Sequence, residues 1–210
     1  HKGTAKRVLS DAELVTLLTV DLKRFSQQVQ DFLTIQLWTC TRGAEIVQMR
    51  RDQITQEADG WWWTVPKAAT KGRNRVGAAD LRVPLVGRAL AVVQRLEGEW
   101  LFPSISRAGV VGHQKQTYMQ NKVNYLQPYC KSRADHVRER LTVTHWSPHD
   151  LRRTGRTALA KLGCPTDVGE SILGHVRPGV QGIYDLHKYD SERRHWLALW
   201  ADRLEALVSA

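Results

Sequence analysis

Ser147-Pro148-His149-Asp150-Leu151-Arg152-Arg153-Thr154 reads as the opening of a helix that carries a histidine and an arginine on one face. Serine suits the N-cap, and proline suits the first turn, where its missing N–H costs nothing. The run through Thr157, Leu159, Ala160 and Leu162 carries the helix on to Gly163. His149 and Arg152 stand three residues apart, so they share a face and can reach one phosphate together. The helix start adds partial positive charge and free N–H groups, which favour an anionic oxygen at the same place.

Downstream, Thr166 to Leu173 reads as a second short helix, ended by Gly174, with His175 projecting just beyond. Pro178 and Gly179 break the chain again, so Tyr184 stands on a separate element. Two arginines, two histidines and a tyrosine in this order point to attack on a phosphodiester. The chain has 31 Lys+Arg against 21 Asp+Glu and a formal net charge of +10. That balance supports DNA as the partner, although a sequence pI near 9.9 also suits an anionic membrane or another acidic partner.

No apolar run approaches the roughly 20 residues that span a bilayer, and no signal-peptide pattern opens the chain. The expectation is a soluble, cytoplasmic protein with no membrane partner. Cys40, Cys130 and Cys164 are odd in number and far apart, so they form no disulfide framework. No pair of cysteines has metal-ligand spacing and the eight histidines are scattered, so neither a metal nor another cofactor is expected. Cys164, beside Pro165 at a helix start, reads as a buried, idle thiol.

At 210 residues the chain can bury one substantial core and is read as a single domain, 1–210. Helical patterns fall at about 11–18, 26–39, 43–50 and 86–97, and a strand-rich region at about 52–85. Trp61-Trp62-Trp63-Thr64-Val65 and Leu81-Arg82-Val83-Pro84-Leu85 pair as strands, the second alternating in hydrophobicity. Strand geometry turns Trp62 away from Trp61 and Trp63, so at least one of the three is expected at the surface. Gly109, Gly112 and their polar neighbours suggest a loop from Arg107, Tyr118 to Tyr129 a helix, and Arg133 to Arg140 a charged connection. The last helix, about 190–207, sets Trp196, Leu197, Trp200, Leu204 and Leu207 along one side. That stripe is expected to pack on its own domain, with exchange onto a neighbouring protomer as the alternative.

His149-Asp-Leu-Arg152-Arg-Thr, Leu-Gly-His175 and Tyr184 resemble, in order, spacing and flanks, the tyrosine recombinase (phage integrase) family. The closing stretch from Tyr184 through Trp200-Ala201-Asp202 is similar to the P4-like integrases of prophages and genomic islands. The resemblance covers about residues 10–205. It implies an α+β fold, a mainly helical catalytic domain with a small antiparallel sheet carrying a lysine hairpin. It also implies a C-terminal fragment of a longer integrase whose N-terminal core-binding domain is absent here.

The family pattern asks for an arginine far upstream, and Trp38-Thr-Cys-Thr-Arg42-Gly-Ala-Glu45 resembles that place, with Glu45 as its buttress. For the hairpin lysine, Lys71 in Thr70-Lys71-Gly72-Arg73 fits best and Lys67 is the fallback. The resemblance implies Tyr184 as nucleophile, and Arg42 and Arg152 on the non-bridging oxygens. His149 would assist removal of the tyrosine proton, His175 would hydrogen-bond the phosphate and Lys71 would protonate the departing 5′ oxygen. The product would be a 3′-phosphotyrosyl bond that a 5′-hydroxyl reseals. Its partner would be double-stranded DNA at attachment-type sites, bound as a tetramer by the full-length protein, with the isolated fragment a monomer. Two other readings are a type IB topoisomerase-like enzyme and a non-catalytic basic DNA-binding module. A metal-dependent nuclease is disfavoured because no convincing set of clustered carboxylates is present.

Overall fold

Helix α2, Gln27–Thr39, is buried over nearly its whole second half, from Asp31 to Thr39. A helix that is apolar on several faces needs partners on all of them. In the computed structural model, which describes residues 7–71, 73–74, 78–130, 139–175 and 189–209, those partners are α3 (Gly43–Ile46), α4 (Gly87–Arg95), α5 (Gln116–Leu126), α6 (Pro148–Lys161) and α8 (Asp190–Ser209). Helix α1 (Asp11–Thr19), capped by Ser10 and Glu13, packs on α8, and α7 (Thr166–Ile172) lies against α6 and α8.

Beside the helices lies an antiparallel sheet in the order β1-β2-β3: Ile54–Glu57, Gly60–Val65 and Leu81–Leu85. Its register pairs Trp63 with Val83 and Val65 with Leu81, placing these side chains on the face that closes the core. Trp62 points the other way, as alternation requires, but it is fully buried rather than exposed. The guanidiniums of Arg82 and Arg194 each lie 4.5 Å from its ring, and its Nε1–H donates to Asp59 at 2.8 Å. Two cation–π contacts of roughly 1 kcal/mol each cover a face that strand periodicity alone assigns to solvent. Trp63 is buried too and Trp61 is partly buried, so the expected exposed tryptophan is corrected.

Two further expectations change. The helix read over 43–50 is the single turn α3, because the chain leaves it to pair Arg50 with Trp100, and Leu101 N–H donates to the Met49 carbonyl. The region read as a loop forms a hairpin, β4 (Pro103–Ile105) with β5 (Val111–His113), whose turn uses Gly109 at φ +77°. Most of the Arg133 to Arg140 connection lies outside the described residues. The final helix packs on its own domain: Leu197, Trp200 and Leu204 are buried, and Trp200 Nε1–H donates to the Leu37 carbonyl at 2.8 Å.

The approach to α6 is fixed by two buried polar side chains. Asp21, fully buried, accepts the backbone N–H groups of Thr142 and Val143 at 2.9 and 2.8 Å. Gln127 accepts from His145 N–H and donates to the Trp146 carbonyl. Together they seat the segment that delivers Ser147 to the start of α6. At the other end of the site, Gly174 takes a left-handed φ of +61°, and a Cβ there would lie 2.8 Å from Leu81 of β3. Only glycine satisfies both conditions.

Helix α6 meets α2 at Gly155, where a Cβ would sit 2.3 Å from Cys40 Sγ. Gly155→Ala is therefore expected to lower stability by about 2 kcal/mol through overpacking. In a Cys40→Ala background the same change should cost less than half as much, as read from urea unfolding of the four-member cycle.

Candidate functional site

The α2 helix ends at Cys40 in a left-handed conformation, φ 56°, which is uncommon outside glycine. That turn aims the Cys40 carbonyl at α6, where it accepts the Arg152 Nη1–H at 2.6 Å. Arg152 Nη2–H donates to the Leu173 carbonyl, also at 2.6 Å, and faces His175 Nε2 at 3.4 Å. Arg152 is 3% exposed, and among the described residues it forms no ion pair. Its charge is thus buried against two carbonyl dipoles and a histidine.

Two residues beyond Cys40, the same turn displays Arg42. Glu45, only 1% exposed, binds the Arg42 guanidinium at 3.0 Å and its backbone N–H at 2.9 Å. This is the buttress expected from the sequence. Burial first, and then the neighbouring charge of Arg42, lower the Arg152 guanidinium to about 10, with Glu45 opposing. Arg152 stays charged at neutral pH. Two cations therefore influence each other, with Glu45 bound to Arg42 and no carboxylate bonded to Arg152 among the described residues, an arrangement that an incoming phosphodiester relieves.

The α6 start follows its sequence signature. Ser147 is the N-cap and Pro148 opens the first turn; Asp150 accepts from the Ser147 N–H and hydroxyl at 2.9 and 2.8 Å and from Arg153 at 2.6 Å. Burial raises the Asp150 carboxyl, but the bonds from Ser147 and Arg153 outweigh it and hold it below the ordinary range. His149 is exposed on this first turn. The protein surrounding it, and then the charges of Arg153, Arg152 and Arg42, push its proton affinity down, with Asp150 opposing. A neutral imidazole at physiological pH is the form that accepts a proton.

Arg42, His149, Arg152 and His175 thus come together. Lys71 does not join them through any described contact: it stands exposed in the β2–β3 connection, after the short turn Lys67–Ala69. Lys67 is exposed as well, and its backbone N–H donates to Asp80 at 2.7 Å. Tyr184, with Pro178 and Gly179, lies outside the described residues. Two residues that sequence reasoning passed over also belong to the site. Glu170 accepts from His175 Nδ1 at 2.5 Å and from Arg156 Nε at 3.1 Å. The one available signal was Arg156, which lies one helical turn beyond Arg152 on the same face.

Cys40 and Cys164 are free and buried, and burial pushes the Cys40 thiol up to about 12 and raises Cys164 as well. Among the described residues no cluster of three or more His, Cys, Asp or Glu side chains is placed to hold a metal ion. No described helix is long and apolar enough to cross a membrane.

The phage integrase family matches residues 7–191. Prophage integrase IntA of Escherichia coli (strain K12) is 30% identical over 181 residues, which is 83% of this chain and 38% of that protein. Among solved structures, the integrase from mycobacterium phage Brujita aligns over 100% of this chain and 66% of its own, with a TM-score of 0.65 and 20% identity. The XerH site-specific recombinase, solved bound to its difH substrate in a pre-cleavage complex, aligns over 93% of this chain and 51% of its own, with a TM-score of 0.54 and 16% identity. At these identities the structures establish a shared fold, mainly helical with small antiparallel sheets. The chain spans little more than a third of the IntA sequence.

Two outcomes follow from the charges. Arg42→Ala strips Glu45 of its guanidinium and is expected to cost about 3 kcal/mol in denaturant unfolding, with Glu45→Gln recovering most of the loss. The depressed proton affinity of His149 contributes stability that is present above the unfolded-state value near ~6.5 and is lost as pH falls through the lower folded-state value. Thermal melts between about pH 5 and 8 should therefore show a shallower acid-side decline for His149→Gln than for the parent.

Proposed function

The chain belongs to the phage integrase family, and on that footing we propose that it is the catalytic domain of a tyrosine-type site-specific DNA recombinase. The observation that carries this reading is the pairing of the buried, still charged Arg152 with Arg42, beside a neutral His149 and a His175 facing Arg152. Such a pocket suits the pentacoordinate transition state of phosphoryl transfer, in which charge builds on the non-bridging oxygens.

Tyr184 attacks the scissile phosphorus through its phenol oxygen. The P–O5′ bond breaks, and a 3′-phosphotyrosyl bond replaces it. A phenol near ~10 in water needs a base or a cationic field to react at neutral pH. His149 accepts the phenolic proton, and the two arginines lower the cost of the developing oxyanion. Their forked donors hold two oxygens each, which an ammonium group cannot copy. His175 completes the phosphate contacts, and Lys71 protonates the departing 5′ oxygen when DNA draws the β2–β3 connection to the cleavage site. The phosphotyrosyl bond keeps the energy of the ester, so a 5′-hydroxyl reseals the strand without a metal or nucleotide cofactor. The substrate is double-stranded DNA at attachment-type sites. In the longer protein the domain acts within a tetramer on DNA, in the cytoplasm; the isolated 210-residue chain is a monomer.

The test is capture of the covalent intermediate on a nicked duplex, from which the short fragment bearing the freed 5′-hydroxyl diffuses away. Wild-type protein should form a detergent-stable adduct in the presence of a chelator, Tyr184→Phe none, and Arg152→Lys roughly 100-fold less at equal times. Binding to duplex without any adduct from the wild type would return the chain to a basic DNA-binding module. Chelator sensitivity would overturn the metal-independent mechanism.

A further inference from the structure

Glu170 sits on α7, five residues before His175, and each of its carboxylate oxygens has a partner. Oε2 receives the Nδ1 proton of His175 at 2.5 Å, and Oε1 receives the Nε proton of Arg156 at 3.1 Å. The backbone reinforces the pair, since His175 N–H donates to the Glu170 carbonyl at 3.0 Å. Arg156 reaches this position by lying over Gly169, where a Cβ would stand 2.8 Å from the guanidinium carbon. Burial alone would raise the Glu170 carboxyl, but the bonds from His175 and Arg156 hold it below the ordinary range, so it is a carboxylate.

On the far side of the ring, Nε2 faces Arg152 Nη2 at 3.4 Å. A guanidinium only donates, so Nε2 accepts and the ring's proton stands on Nδ1. We propose that Glu170 is a positioning residue: anchored by Arg156, it keeps the His175 proton on Nδ1 and aims Nε2 into the phosphate pocket. In the recombinase reading, on which the catalytic part of this inference rests, the same carboxylate holds the ring edge toward the non-bridging oxygens beside Arg152. The ring then lies between two anions, the carboxylate and the phosphate.

Donor and acceptor matching makes the role testable. In Glu170→Gln, Arg156 can only donate and so takes the amide oxygen, leaving the amide NH2 against His175 Nδ1. Nδ1 must then accept, which moves the proton to Nε2, where it opposes the N–H of Arg152. Long-range 15N–1H correlation spectra of histidine-labelled protein should show His175 as the Nδ1–H tautomer in the wild type and as the Nε2–H tautomer in Glu170→Gln. In Arg156→Met/Glu170→Gln the amide is free to turn its oxygen toward His175, and the Nδ1–H form should return. On the nicked duplex, Glu170→Gln should slow adduct formation on the order of 100-fold with DNA affinity changed less than about twofold.

An Nε2–H tautomer in the wild type, no tautomer change in Glu170→Gln, or unchanged adduct formation would each overturn the inference. If Glu170→Gln fails to fold, Arg156→Met still tests it: with the anchor gone and the carboxylate kept, the Nδ1–H tautomer should persist while adduct formation slows, and unchanged adduct formation would overturn the inference. If the wild type forms no adduct, the recombinase reading falls, while the tautomer spectra still decide what Glu170 does.

Discussion

A guanidinium buried against carbonyl oxygens is the constraint around which this domain is arranged. Arg152 has two backbone acceptors, and both come from places where a helix has just ended: Cys40 after α2 and Leu173 after α7. The last carbonyls of a helix have no partner within it and carry partial negative charge. Two helix C-termini therefore converge on the charge that the start of α6 presents. Dipoles of this kind make the buried cation tolerable without neutralising it, and the net positive potential remains available to a ligand.

Keeping that arrangement dictates residues that look unremarkable in the sequence. Gly155 lets α6 approach α2 closely enough for Arg152 to reach Cys40. Gly174 turns the chain left-handed after α7, which leaves Leu173 and His175 on either side of a sharp bend and both in contact with Arg152. Cys40 accepts an unfavourable backbone conformation to aim its carbonyl. Local strain of this kind persists where surrounding contacts over-determine it. Arg42 and Glu45 occupy the following turn, so one stretch of six residues supplies an acceptor for one arginine, the second arginine and its carboxylate.

Much of this was legible before the fold was known, and the reasons differ by element. Periodicity and apolar runs located α1, α2, α4, α5, α6, α7, α8 and the strands β2 and β3, although α2 and β2 bury more than one face and so carry no single clean stripe. The helix start at Ser147-Pro148 was readable from local backbone chemistry alone. The short elements were misjudged: α3 was read as a longer helix and the β4–β5 hairpin as a loop, because both are too brief for their patterns to repeat. Trp62 was misplaced because alternation predicts the direction of a side chain but says nothing of what covers it, and its cover comes from Arg194 in a distant part of the chain. Asp21, Gln127 and Glu170 went unnoticed for the same reason. Each works by satisfying backbone or side-chain groups that only tertiary structure brings near, and a lone polar residue leaves no periodic trace.

Strand β3 joins parts that the sequence keeps separate. Its first residue, Leu81, is where Gly174 docks. Its second, Arg82, binds Asp190 at the start of α8 at 2.7 Å, and Asp190 and Ser171 in turn hold Arg193. The stretch of chain containing Tyr184 thus leaves and re-enters the described structure at two neighbouring residues of one strand. That strand is also where the connection bearing Lys71 ends. Leu81 and Arg82 thus tie the end of α7, the start of α8 and the β2–β3 connection to one strand, so the spacing of those three parts is set by where β3 lies against the helices.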